Sequence, residues 1–212
     1  GGFMPAAERF GLIHSVDRWM VNRAIERLAQ LHRDGHDIRF SINLSARAFE
    51  DDTLLPLIRE KIRSAQINPN TLTFEITETA AISNLAAAIE FICELKDIGC
   101  QFALDDFGSG FSSFTYLKHL PVDKLKIDGS FVQNMVQTTV DQAMVRSMNQ
   151  VAHALGKVTI AEFVESQETL SLLRQFGVDY AQGYHIGKPS TTISTTHLAL
   201  PMEIMSAANY VQ

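Results

Sequence analysis

A β/α barrel is the fold this sequence predicts, and three observations predict it. Strand-like and helix-like stretches alternate almost throughout the 212 residues, the pattern of a parallel sheet joined by crossover helices. No glycine-rich G-x-G-x-x-G turn follows the first strand, which weighs against the competing fold, an open doubly wound sheet. Each strand-like stretch also ends in a polar residue that an apolar core does not need, and in a barrel those ends share one mouth.

The opening "GGFMP" reads as the middle of a loop entering a helix. "SVDRWMVNRAIERLAQLHRDG" carries apolar residues at Val16, Trp19, Met20, Ala24, Ile25, Leu28 and Leu31, a helical spacing that Gly35 can stop. "IRFSINLS", Ile38 to Ser45, follows as the first strand. "TLLPLIREKIRSAQ" is a helix whose Pro56 is tolerable in the first turn. "LTFEITE", Leu72 to Glu78, is the second strand, and "NLAAAIEFICELKDIG" a helix ending at Gly99. "QFALDD" is the third strand, "FTYLKHL" a short helix and "DKLKIDGSF" the fourth strand. "TTVDQAMVRSMNQVAHALG" is a helix closed by Gly156, "KVTIAEFVE" the fifth strand, "SQETLSLLRQFG" a helix and "YAQGYHI" the sixth strand. A full barrel has eight strand–helix units in ~250 residues. Six units and an abrupt start predict a barrel, over residues 1–190, whose first strands lie outside this chain. Residues 191–212, Ser/Thr-rich at first, are expected to form a linker and a short terminal helix.

Composition narrows the function. With 46% hydrophobic and 20% charged residues, the chain can bury a sizeable core. Its net charge of −6 offers no basic surface to a DNA or RNA polymer. An acidic protein that handles phosphates needs a metal ion to offset that charge. Cys93 and Cys100 have no metal-motif spacing and read as reduced thiols of a cytosolic protein. No apolar run approaches the ~18 residues of a membrane span, and the N-terminus has no signal-peptide pattern. This segment is therefore expected to be cytoplasmic and without membrane contact, although a longer parent protein could be anchored elsewhere.

The strand ends supply Asn43, then Glu75 and Glu78, then Asp105 and Asp106, then Lys126, then Glu162 and Glu165, then Gln182. Asn43, Glu75, Asp105, Asp106 and Glu162 are hard oxygen donors that suit Mg²⁺ or Mn²⁺ rather than zinc. A two-metal site needs a bridging carboxylate and favours in-line displacement at phosphorus. Adjacent aspartates can bridge and flank such a pair, and the cations cancel the repulsion that makes Asp105-Asp106 costly. Lys126 could then orient an attacking water, help to deprotonate it, or stabilise charge on the phosphate. Each residue has a blander reading as well. Asn43 can be a turn-maker, one of Glu75 and Glu78 can be solvated, the aspartates can cap a turn, Asp128 can be a cap, and Gln182 alone says little. Lys124 reads as ordinary surface. The histidines fall without ligand spacing, and only His185, just past the sixth strand, could brush a ligand.

With these residues in view, the sequence resembles the EAL-domain family of bacterial cyclic di-GMP phosphodiesterases. "FMPAAERFGLI", "INLSAR", "FEITET", "LDDFGSGFSSFTYLKHLPVDKLKID", "AEFVES" and "DYAQGYHIGKP" match its motifs in order, across nearly all of residues 3–189. The resemblance implies a modified (β/α)8 barrel that hydrolyses cyclic di-GMP to linear pGpG with two Mg²⁺ or Mn²⁺ ions. It implies Asn43, Glu75 and Asp105 as ligands of one metal and Asp105, Asp106 and Glu162 as ligands of the other. Lys126 resembles the residue that holds the nucleophilic water, Gln182 a partner of the water or metal, and Glu78 the glutamate that steadies the loop from Asp106 to Ser113. That loop and the helix after it imply a homodimer contact.

Two departures matter. The Glu-Ala-Leu motif, with its metal-ligand glutamate and the phosphate-gripping arginine after it, is expected upstream of Gly1, so this chain alone is expected to have weak or no activity. Phe163 stands where the family often has glycine, which reads as a change in pocket shape. The competing function is a receptor module that binds cyclic di-GMP without cleaving it.

Overall fold

The structure, a computed structural model, describes residues 3–110, 114–190 and 203–204. Seven parallel strands form one sheet in strict chain order. They are β1 (Phe40–Asn43), β2 (Leu72–Thr77), β3 (Gln101–Phe107), β4 (Lys124–Ile127), β5 (Val158–Ala161), β6 (Tyr180–Ala181) and β7 (Glu203–Ile204). Sequential order means that the crossovers keep stepping in one direction, and their fixed hand stacks the helices on one face. A doubly wound sheet reverses its strand order part-way, and this one does not. The sheet is the curled wall of a partial barrel, as the sequence predicts.

The helices are α1 (Phe3–Arg9), α2 (Ile13–Arg33), α3 (Leu54–Ala65), α4 (Glu78–Ser83), α5 (Leu85–Ile98), α6 (Gly129–Val132), α7 (Thr139–Ala154) and α8 (Gln167–Phe176). Their boundaries follow local chemistry. The Asn84 side chain accepts the Ala87 N–H at the start of α5, and Ser166 accepts the Thr169 N–H at the start of α8, satisfying N–H groups that no helical carbonyl reaches. Gly99 ends α5 at φ +102°, a conformation that costs glycine little.

The core sits between helices and sheet. Five consecutive residues of β2, Leu72 to Ile76, are buried, as are all four of β4. Burial on both faces is the signature of a parallel sheet, and it corrects one expectation. Lys124 is buried rather than surface, and its ammonium reaches across β3 to donate to Thr73 Oγ1 on β2 at 3.0 Å.

Helix α2 corrects another. Its inward stripe is Asp17, Val21, Ala24, Ile25 and Leu28, and Trp19 lies roughly 200° round the helix from Asp17. Trp19 is accordingly exposed. Asp17 can face inward because its carboxylate accepts both the backbone N–H (3.1 Å) and the hydroxyl (2.5 Å) of Ser45. Burial raises the Asp17 pKa, and the Ser45 hydrogen bonds pull against that rise.

Several expected strands are shorter than the sequence suggests, β1 among them. After β4 the chain turns at Asp128 into α6, whose Ser130 N–H is capped by the Asp128 carboxylate at 2.8 Å. After β5 and β6 it leaves the sheet at once. The short helix expected over "FTYLKHL" is a 3₁₀ turn, Phe114–Lys118. Within the segment expected as linker and terminal helix, Glu203–Ile204 instead adds a strand to β6; the rest of that segment lies outside the described residues.

Candidate metal centre

The centre begins with a fault in the ladder. Leu104 pairs with Leu125 and Phe107 with Ile127. Asp105 and Asp106 therefore both stand opposite the single residue Lys126, which is a β-bulge. Asp106 takes φ +54° there, and its N–H donates to Asp105 Oδ1 at 3.1 Å. In a regular strand neighbouring side chains point to opposite faces. The bulge turns both carboxylates towards one place.

Lys126 is the hub. Its ammonium lies 2.9 Å from Glu75 Oε2, 2.9 Å from Asp105 Oδ1 and 2.8 Å from Glu162 Oε1. The lysine is 2% exposed and Glu75 fully buried, so these charges are out of water and hold one another. One cation faces three carboxylates, and a fourth stands beside them. Asp105, Asp106 and Glu162 each offer an oxygen within 4.8 Å of the others. Burial pushes Glu162 up to about 7, with Asp105 and Glu75 adding to the rise and Lys126 opposing it. Burial also raises Asp106, reinforced by Asp105 and by Asp128. Both rises come first from burial and then from the neighbouring carboxylates. Hard oxygens at this spacing fit a Mg²⁺- or Mn²⁺-type ion.

The structure thus brings together Glu75, Asp105, Asp106, Lys126 and Glu162. Asn43 pairs in register with Glu75 on the neighbouring strand and is exposed at the end of β1. Gln182 follows β6, donates its N–H to Ala161 O at 2.8 Å and accepts from Val164 N–H at 3.0 Å. Glu78 stands apart from the cluster. It is not a strand residue but opens α4, and neither it nor Glu75 is solvated. Its two oxygens accept the Gly108 N–H at 2.8 Å and the Tyr116 hydroxyl at 2.6 Å. Those bonds tie down the near side of the loop after β3; residues 111–113 of that loop lie outside the described residues. His185 is exposed and faces Gln167 on α8 at 3.3 Å.

Two contacts escaped the sequence reading. Asp128 caps α6, yet it also meets the Asp106 carboxyl. Its position two residues past Lys126, at the end of β4, is the signal that could have found it. Tyr116 has no sequence signal, because only folding brings it to Glu78.

The EAL domain family matches residues 1–189. The chain belongs to the EAL domain family. It is 41% identical over 192 residues to the cyclic di-GMP phosphodiesterase PdeB of Shewanella oneidensis, covering 91% of this chain and 22% of that protein. It is 36% identical over 200 residues to the cyclic di-GMP phosphodiesterase PdeF of Escherichia coli, covering 94% and 27%. This EAL chain therefore spans about a quarter of the length of those curated relatives. Among solved structures it resembles the FimX EAL domain of Pseudomonas aeruginosa bound to c-di-GMP, with a TM-score of 0.85 and 34% identity over 92% of this chain and 78% of that one. It also resembles the PaMucR phosphodiesterase in its c-di-GMP complex, with a TM-score of 0.78 and 31% identity over 83% and 72%.

Proposed function

We propose that this EAL domain makes its protein a cyclic di-GMP phosphodiesterase, which hydrolyses one phosphodiester to leave linear pGpG. The observation that carries the reading is the charge imbalance at the hub: one buried lysine against Glu75, Asp105 and Glu162, with Asp106 beside them. Such a site binds cations, and a cation-loaded acidic mouth can take a phosphodiester that the bare carboxylates would repel.

Asn43, Glu75 and Asp105 are the proposed ligands of one ion, and Asp105, Asp106 and Glu162 of a second. When bound, a pair of such ions supplies charge neutralisation at the phosphate and lowers the pKa of an attacking water. Lys126 would hold that water for in-line attack on phosphorus, and Gln182 would help to orient it. The P–O3′ bond then breaks, and the leaving oxygen takes a proton. Glu78 has a supporting role, keeping Asp106 in place through Gly108 and Tyr116. A cytoplasmic location and a homodimer through the loop after Asp106 and the Phe114–Lys118 turn belong to the same proposal.

Glu162→Gln tests the assignment in the full-length protein. Mg²⁺-dependent production of pGpG is expected to fall by about two to three orders of magnitude, while cyclic di-GMP binding stays detectable. Unchanged turnover would remove Glu162 from the chemistry. The second reading is a receptor that binds without cleaving. It predicts tight binding by the wild type with no pGpG.

A further inference from the structure

Asp17 puts a carboxyl where a hydrocarbon would pack. It is 3% exposed and lies on the inward stripe of α2, in line with Val21, Ala24, Ile25 and Leu28. Taking a carboxyl out of water is costly, and burial raises its pKa accordingly. What Asp17 offers that an apolar residue cannot is its pair of bonds to Ser45, one from the backbone N–H and one from the hydroxyl.

Ser45 stands two residues past Asn43, where the chain leaves β1. The parallel ladder continues as far as Leu44, whose N–H donates to Glu75 O at 2.9 Å. The next N–H, that of Ser45, turns away from the sheet to Asp17. Ser45 O then accepts the Ala48 N–H at 3.1 Å, which opens the turn at Ala48–Glu50. The main chain just beyond Asn43 is thus pinned from two sides, by β2 and by α2. Asn43 itself is exposed, so little packing fixes its side chain and the backbone must set where its amide stands. The neighbour of Asp17 braces the far end of the same loop: Arg18 lies 2.5 Å from Asp51 Oδ2 and donates to Thr53 Oγ1 at 3.2 Å.

We propose that Asp17 is the positioning residue for Asn43. By holding Ser45 it fixes the end of β1 where the Asn43 amide can meet a divalent cation shared with Glu75 and Asp105. This proposal rests on the reading of Asn43 as a metal ligand and deepens it. Groups that hold a ligand in place are commonly worth about ten- to a hundredfold in metal affinity. The clamp works by geometry rather than charge. In Asp17→Asn the amide oxygen can accept the Ser45 N–H while the amide NH₂ donates to the Ser45 hydroxyl.

The test titrates metal-free full-length protein with Mn²⁺ by calorimetry and records each variant's metal-free melting temperature. Asp17→Ala is expected to weaken one Mn²⁺ site about tenfold, and Asp17→Asn to keep wild-type affinity. In an Asn43→Ala background, Asp17→Ala should weaken Mn²⁺ binding no further, because the ligand it positions is gone. Arg18→Ala, which cuts only the far brace, should lower the melting temperature and leave Mn²⁺ affinity unchanged. Ser45→Ala keeps the backbone bond and should shift Mn²⁺ affinity in the same direction as Asp17→Ala; it carries the test if that variant does not fold. Wild-type Mn²⁺ affinity in Asp17→Ala, or in Ser45→Ala standing in for it, would overturn the proposal. So would a full further loss in the Asn43→Ala background, an equal loss in Arg18→Ala, or an equal loss in Asp17→Asn. If Asn43→Ala weakens Mn²⁺ binding and Asp17→Ala does not, the positioning role alone fails. If Asn43→Ala leaves Mn²⁺ affinity unchanged, the ligand reading of Asn43 fails and the positioning role with it.

Discussion

The loops that leave β3 and β5 face the same problem and solve it differently. Each turns through a non-glycine residue in the left-handed region, Asp106 at φ +54° and Phe163 at φ +52°. Each carries a carboxylate of the acidic cluster. After β3 the strained residue is itself the carboxylate, and aspartate tolerates this conformation better than most. A side-chain clamp holds that loop: Glu78 accepts from Gly108 and Tyr116, and Ser109 donates to Asp106 O through both its N–H (3.2 Å) and its hydroxyl (2.8 Å). After β5 the carboxylate comes first and the strain falls on the aromatic ring. There the main chain holds the turn, through Val164 and Gln182. One loop therefore leans on the side chains of Glu78 and Ser109. The other depends on backbone bonds that no side-chain deletion removes.

The largest expected effect tests that contrast directly. Glu78→Ala leaves the Gly108 N–H and the Tyr116 hydroxyl without their acceptor, and two bonds to a buried carboxylate are worth about 3 kcal/mol together. Denaturant melts should show that loss, with metal-dependent activity falling further than stability explains because Asp106 is no longer held. A loss below about 1 kcal/mol would mean that the loop does not need its clamp.

Breaking the second loop calls for bulk rather than deletion. A Cβ at Gly183 would overlap the Val164 backbone. Gly183→Ala is expected to cost about 2 kcal/mol, in the range for overpacking, and to displace Glu162. Near-neutral stability would show that the β5 loop can yield.

A comparable effect, about 2–3 kcal/mol, comes from protons. Glu162 in the folded chain titrates at about 7 against an ordinary 4.5. A raised carboxyl contributes stability that is fully present below about 4.5 and lost as pH rises through about 7. Metal-free protein should therefore melt lower at pH 8 than at pH 5, Mn²⁺ should restore the loss, and Glu162→Gln should flatten the dependence. An equal slope in that variant would place the titrating group elsewhere.

Much of the centre was legible from residue types alone. Glu75, Asp105, Asp106, Lys126 and Glu162 were picked out because polar residues at the ends of parallel strands converge, and the structure does bring them together. The reading failed where one residue had two uses or where a contact joined distant parts. Asp128 looked like a cap and is one, but it also meets Asp106. Lys124 and Lys126 are two apart in one strand and look alike in sequence. Both are buried, one donating to Thr73 and the other joining three carboxylates. Trp19 was placed on the apolar face of its helix because it is apolar, and the stripe that turns inward takes in Asp17 instead.

What the sequence by itself determined is the alternation of strand and helix and the polar chemistry gathered near the strand ends. These follow from hydrophobic periodicity and residue type, which are local. The tertiary structure alone decided the bulge that turns two neighbouring aspartates to one side, the Glu78 clamp reaching 30 residues ahead to Gly108, and the exposed ring of Phe163 on Gly129. Each depends on register or on contact between segments far apart in the chain, and no local pattern encodes the distance between them.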